Sequence, residues 1–255
     1  MAEPLVSIEW ESGVAVLCLN RPARHNALVP ELLEALCEKL CQAEVREAGS
    51  LVLAARGTSF STGGDLLGFW QHRDQLARYA HELVGWLNRA MLELATIPVR
   101  VACAVQGPVT GGSLGLLLAA DRVFMHPEAW VAPWYSVVGF SPDGGWASVL
   151  PHRIGPEPAR RWLAENGRKN AEACAAIGLA DELAIDPRDA AIAWASMPGG
   201  DRDARRRHSR LEVERWRAGL ERERSAFVRQ VQTRRALDGI RAYLGIDETR
   251  KQYEN

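Results

Sequence analysis

The 255-residue chain has almost no net charge. Its 31 basic and 32 acidic side chains leave -1 at pH 7, so it lacks the basic surface that grips nucleic acid. It has no apolar run near the roughly 20 residues that cross a bilayer. Its start, Met1-Ala2-Glu3-Pro4, shows neither the basic opening nor the apolar core of a signal peptide. These absences predict a cytoplasmic protein with no membrane and no nucleic-acid partner. Cysteine is scarce: Cys18, Cys37, Cys41, Cys103 and Cys174 are odd in number and irregular in spacing. Most sit in apolar surroundings, which predicts reduced core thiols. Cys37 and Cys41 share a helical face, but no histidine stands near to complete a metal site, so no metal is expected.

What is present is an alternation of strands and helices. Residues 5–10 and 13–19 read as a hairpin, 50–55 and 99–105 as buried strands, and 122–125 and 129–132 as shorter ones. Helical spacing marks 29–44, 75–94, 114–120, 150–164 and 170–177. This pattern predicts an α/β fold with mostly parallel pairing. Two strands run straight into glycine loops, Phe60-Ser61-Thr62-Gly63-Gly64-Asp65-Leu66 and Val109-Thr110-Gly111-Gly112-Ser113-Leu114. In the second, a glycine turn opens a helix, so unpaired backbone N–H groups point into one spot that favours negative charge. A tight turn without chemistry is the competing reading. Around 197–203 the composition shifts to a Pro-Gly-Gly linker, and a highly charged helical tail follows over 205–244. Leu211, Trp216, Leu220, Phe227 and Val231 give that tail an apolar stripe, which must pack on its own core or on a neighbouring subunit. Arg205-Arg206-Arg207 reads as a solvated helix start or an anion contact.

Five stretches carry a family likeness in order. They are Leu19-Asn20-Arg21-Pro22 with His25-Asn26-Ala27-Leu28, the two glycine loops, Gly139-Phe140-Ser141-Pro142-Asp143-Gly144-Gly145, and 171–181 ending Gly178-Leu179-Ala180-Asp181. Together they resemble the crotonase superfamily, the enoyl-CoA hydratase/isomerase family, almost continuously over residues 5–185. The resemblance implies a crotonase-like spiral of ββα units over 1–196 and a C-terminal helical trimerisation region over 197–255. It also implies a homotrimer or hexamer and an acyl-CoA thioester substrate, with CoA arriving as part of that substrate and no separate cofactor. The thioester carbonyl would sit between the backbone N–H groups of Gly64 and Gly112. Arg24 and the Asn26-Ala27 backbone resemble positions that hold the CoA phosphates and adenine. Ser61, Thr62, Gly63, Asp65 and Leu66 would line the adenine and pantetheine side, with Gly111, Trp134 and Tyr135 completing the substrate contacts. For Asp65, capping the next helix is an equal reading. The family's C-terminal lysine-and-aromatic ending is missing, because residues 247–255 are polar.

Departures from the family pattern decide the expected chemistry. The family's hydratases use two glutamates to add water, and the alignment places Gly115 and Tyr135 at those positions. Glycine has no titratable group and an unperturbed tyrosine titrates near ~10, so ordinary hydration is not expected. Asp143 remains, on a turn beside Phe140, Trp134 and Trp146, where desolvation would lift its proton affinity toward the working pH. The first reading is therefore an enoyl-CoA double-bond isomerase with Asp143 as its single acid/base. The alternatives are a dehalogenase-like aryl-CoA enzyme with Asp143 as nucleophile, for which His72 or His81 would have to serve as the histidine, and a non-catalytic acyl-CoA-binding scaffold. Of nine tryptophans, Trp70, Trp86, Trp134 and Trp146 are expected at the acyl pocket, and Trp162, Trp194 and Trp216 in packing.

Overall fold

The computed structural model describes residues 3–197 and 202–246, with only the backbone for residues 43 and 202–212. Strands β1 (Val6–Glu11) and β2 (Val14–Leu19) form the expected antiparallel hairpin. Ser12 and Gly13 turn it, both at positive φ (51° and 77°). Next come β3 (Ser50–Ala55), β4 (Arg100–Val105), β5 (Val109–Thr110), β6 (Arg122–Met125), β7 (Trp130–Ala132), β8 (Lys169–Asn170) and β9 (Glu182–Leu183). One six-stranded sheet has the order β1-β2-β3-β4-β6-β9, parallel from β2 onward, and a smaller sheet has the order β5-β7-β8. Isolated parallel bridges Leu28↔Gly64 and Ser61↔Val109 extend the smaller sheet across both sequence loops. Each turn of chain thus adds one strand to the large sheet and a strand or bridge to the small one. That is a spiral of ββα units.

The large sheet is buried on both faces, which is why its strands read as unbroken apolar runs. Ala15, Leu17, Leu53 and Val101 face the main core with the helices Pro30–Cys41 and Leu76–Thr96. Val16, Val52, Ala104 and Phe124 face the helix Pro187–Ser196 through its Ala191, Ile192 and Ala195. Four of the five cysteines are buried, Cys41 is exposed, and all are free thiols. No helix among the described residues is long and apolar enough to cross a membrane.

Several helices differ from the sequence reading. The segment 150–164 splits at Gly155, whose φ of 92° breaks it into Leu150–Ile154 and Pro156–Glu165. The helix expected over 29–44 ends at Cys41, and Ala43–Arg46 forms a separate turn. Helices Leu66–Gln71 and Pro187–Ser196 have no counterpart among the expected segments; Asp65 caps the first, as one of its two readings has it, by accepting from Leu67 N, and Asp186 caps the second by accepting from Asp189 N. The charged tail is two helices, Arg202–Val231 and Arg234–Leu244, the second capped by Thr233. The tail packs on its own chain's core. Leu220, Phe227 and Val231 are buried, and Asn88 Nδ2 on Leu76–Thr96 donates to Leu220 O at 3.2 Å. Linker residues 198–201, the polar ending 247–255 and the side chains of Leu211 and Arg205-Arg206-Arg207 lie outside the described residues.

Candidate active site

The two glycine loops are fastened to each other. Ser61 is fully buried; its Oγ donates to Asn26 O at 2.7 Å and shares a 2.6 Å bond with Ser113 Oγ. Ser113 Oγ also accepts the Gly63 N–H at 2.9 Å. Gly63 has φ 75°, and a Cβ there would lie 2.9 Å from Thr110 O, so only glycine lets the loops touch. Gly111–Ser113 forms a short turn that leads into the helix Leu114–Leu118. Among the described residues the Gly64 and Gly112 amides have no acceptor, and both glycines line one cavity. Two free N–H groups at one cavity can stabilise an oxyanion.

Asp143 stands beside them. It is 6% exposed, and the Tyr135 hydroxyl donates to its Oδ1 at 2.7 Å and to its backbone O at 2.9 Å. A Cβ on Gly112 would lie 2.9 Å from Asp143 Oδ2 and 3.0 Å from Oδ1, so the carboxyl rests directly on the second loop. Burial pushes the Asp143 carboxyl up to about 7; the Tyr135 bond pulls it down and the nearby Glu223 charge pushes it up. Burial, then the Asp143 charge, raises Tyr135 well above the ordinary tyrosine range, so its proton stays in the bond. At Gly115 a Cβ would run into Met91 Sδ and lie 2.8 Å from Gly144 O. The side chain absent from that position has no room to return.

The cavity holds about 100 Å³. Its apolar wall is built by Leu83 and Leu87 of the long helix, Phe69 of the unforeseen helix, Phe140, and Phe227 and Tyr243 of the two C-terminal helices. Phe69, Phe140 and Phe227 form a triangle of rings, with centroids 5.1 to 5.9 Å apart. The tryptophan expectation needs correction. Only Trp134 lines the cavity, 40% exposed and in the left-handed region at φ 50°. Trp146 is fully buried behind it, its indole donating to Gly111 O at 2.7 Å, and Trp70 and Trp86 carry the guanidiniums of Arg73 and Arg89 outside the lining.

Of the residues expected at the substrate, Thr62, Gly63, Gly64, Leu66, Gly111, Gly112, Trp134, Tyr135 and Asp143 border this single cavity. Arg24, Asn26, Ala27, Ser61 and Asp65 do not. Left-handed turns at His25 and Asn26 fold their loop on itself. The Asn26 and Ala27 amides donate to Arg21 O and Arg24 O, and their carbonyls accept from Ser61 Oγ and Arg21 Nη1. Asn26 is wholly buried, its Nδ2 donating to Arg56 O and Ser59 O. Asp65 caps the next helix and binds Arg21 at 2.7 Å and Arg24 at 3.0 Å. Burial alone would raise the Asp65 carboxyl, but the two arginines outweigh it and hold it below its usual range. Arg21 went unread in this role, as did Met91 and the Phe69–Phe227 wall. Glu223 went unread too, although one signal marked it: the apolar stripe of the tail jumps from Leu220 to Phe227, and the missing step is Glu223.

A family model for enoyl-CoA hydratase/isomerase matches residues 9–195. YhaR of Bacillus subtilis (strain 168), whose name places it among the enoyl-CoA hydratase/isomerases, is 31% identical over 247 residues, covering 94% of this chain and 95% of its own. The 4-chlorobenzoyl coenzyme A dehalogenase-2 of an Arthrobacter species is 32% identical over 170 residues; the match covers 63% of this chain and 59% of the dehalogenase. An enoyl-CoA hydratase/isomerase crystal structure from Mycobacterium paratuberculosis superposes with a TM-score of 0.82 at 23% identity, covering 94% of this chain and 98% of that one. That likeness bears on the fold.

Proposed function

The chain belongs to the enoyl-CoA hydratase/isomerase family, and on that premise we propose that it shifts the double bond of an enoyl-CoA thioester, with Asp143 as the only acid/base. One observation carries the reading: a buried carboxyl with a proton affinity near neutrality lies against Gly112, at the cavity bordered by two unbonded glycine amides. The thioester oxygen lies between the Gly64 and Gly112 N–H groups. Ionised Asp143 takes a proton from C2 of a 3-enoyl thioester, and the electron pair left behind moves into the carbonyl to give a dienolate. The two amides hold its oxyanion. The neutral carboxyl then returns the proton to C4, the electrons flow back, and the double bond lies between C2 and C3. An acid/base titrating near the working pH can both take and return that proton.

Hydration would need a second carboxyl to handle water. Position 115 is a glycine with Met91 filling its space, and position 135 is a tyrosine bonded to Asp143. The dehalogenase-like reading is favoured by the similarity to the Arthrobacter enzyme, but no histidine among the described residues lines the cavity. His72 is stacked on Tyr79 at 4.4 Å and donates through Nδ1 to Gly68 O, and His81 is exposed.

The test is conjugation of aliphatic and aryl 3-enoyl-CoA esters by wild type and by Asp143→Asn. Loss of ~10²–10⁴ in turnover with ester binding retained is expected. Chloride release from 4-chlorobenzoyl-CoA would replace the isomerase by the nucleophile reading. Binding without any turnover would leave an acyl-CoA-binding scaffold.

A further inference from the structure

We infer that Glu223, on the C-terminal helix Arg202–Val231, is a positioning residue for the reaction: it fixes the loop that presents Asp143 and confronts that carboxyl with a second, buried negative charge. The chemical role of Asp143 rests on the isomerase reading; the grip of Glu223 on the loop does not.

The loop 143–148 has little means of holding itself. Gly144 and Gly145 both take positive φ (61° and 84°); the bond from Trp146 N to Asp143 O is 3.5 Å long, and the short backbone bonds, Val149 N and Leu150 N to Gly145 O at 2.8 Å, come from the residues that follow. Three of its amides converge on Glu223 instead. Gly145 N donates to Oε2 at 2.7 Å, and Ala147 N and Ser148 N donate to Oε1 at 2.9 and 2.8 Å. The glutamate is 7% exposed and stands within a buried stripe with Leu220, Phe227 and Val231. Its neighbour Glu221 is exposed and paired with Arg224, whereas among the described residues no basic side chain pairs with Glu223. The helix reaches the loop closely because position 219 is glycine: a Cβ there would collide with Ser148 Cβ.

Burial raises the Glu223 carboxyl above its usual range, and the three amides pull it back; all three are donors, so the ionised form matches its surroundings and a protonated oxygen would face an N–H. A negative charge held there disfavours ionised Asp143 and strengthens it as a base. Burial is the larger cause of the rise at Asp143, and Glu223 is the charged group that adds to it. Tyr135 is the titratable neighbour from its own segment, and Gly112 meets the carboxyl from the second loop. A buried acid with no cation beside it is a poor choice for stability alone. Fastening the loop while raising the base gives it a reason.

The experiment follows the Asp143 carboxyl carbon by NMR titration, the exchange of the loop amides, and the pH profile of kcat/KM. In Glu223→Gln the side-chain NH2 must face a backbone N–H. Exchange at Gly145, Ala147 and Ser148 should quicken, the Asp143 titration should move to lower pH, and the acid limb of the rate profile should move with it. Displacement of the base should lower kcat by on the order of 10²-fold. Glu223→Asp keeps the charge but shortens the reach, so it should restore the titration and only part of kcat. An Asp143 titration that stays in place in Glu223→Gln, with only a lower thermal midpoint, overturns the inference. A wild type silent on every 3-enoyl ester, with the titration still moved by Glu223→Gln, would sink the isomerase reading and uphold the role of Glu223.

Discussion

The two halves of the site are assembled differently. The glycine loops 61–65 and 110–113 hold one another through the Ser61–Ser113 bond, the Gly63 amide and the Ser61↔Val109 bridge. The Asp143 loop is held from outside, by Tyr135, by the Trp146 indole on Gly111 O, and by Glu223 from 78 residues downstream. In the first half the working groups are backbone amides, which no side-chain substitution removes. In the second half the working group is a side chain, and so are its supports. On the proposed isomerase reading, the oxyanion site is therefore backbone and the acid–base group a side chain.

The sharpest way to break this comparison is to add one carbon to each loop. At Gly112 a Cβ would meet both Asp143 oxygens and Leu87, disturbing both halves at once. At Gly64 it would meet a Phe69 ring carbon at 3.0 Å and leave the carboxyl alone. Gly112→Ala should lower kcat by ~10²–10³. Gly64→Ala should lower it less and raise KM more. Equal losses in steady-state kinetics would mean that Asp143 does not depend on the Gly112 contact.

A second test uses pH. The Asp143 carboxyl sits near 7 in the folded chain, against about 4 when unfolded. Because the folded value is raised, its contribution to stability is full below pH ~4 and is lost as pH rises through 7. Asp143→Asn removes that loss while its Oδ1 still accepts from Tyr135. Its thermal midpoint should therefore gain on wild type between pH 4 and 8, by an amount equivalent to a few kcal/mol at most. A constant difference across that range would show the carboxyl to be ordinary.

The smallest effect belongs to the backbone half. Ser113→Ala strips an acceptor from Gly63 N, at about 1–3 kcal/mol in denaturant unfolding. Turnover should change little, since Ser61 N to Pro108 O and Thr110 N to Ser61 O still join the loops. A large loss of kcat would show that the glycine amides also depend on side chains.

Legibility in the sequence followed the same division. The second glycine loop could be read because the strand before it, the glycines and the following helix are contiguous, and the first as a like glycine loop after a strand. Asp143 could be read as the carboxylate left over once positions 115 and 135 had changed. Of the apolar wall only Phe140 could be read, beside Asp143; Phe69, Phe227 and Tyr243 lie on three other segments and the abundant tryptophans drew the expectation elsewhere. Asn26, Ser61 and Asp65 fell inside recognisable motifs, yet motif position does not say whether a side chain faces the cavity or the scaffold. Their bonds lie within the scaffold.

By itself the sequence determined the six longer strands and the two glycine turns, since each is a matter of local composition, and the family resemblance added that positions 115 and 135 carry no glutamate. Only the tertiary structure decided that Met91 fills the space at Gly115, that Tyr135 holds Asp143, and that the charged tail returns to its own chain to close the cavity and bind the loop through Glu223. Those outcomes depend on which surfaces meet. The apolar stripe marks the face on which Glu223 lies, but only the fold buries that face and turns three backbone amides toward the carboxyl.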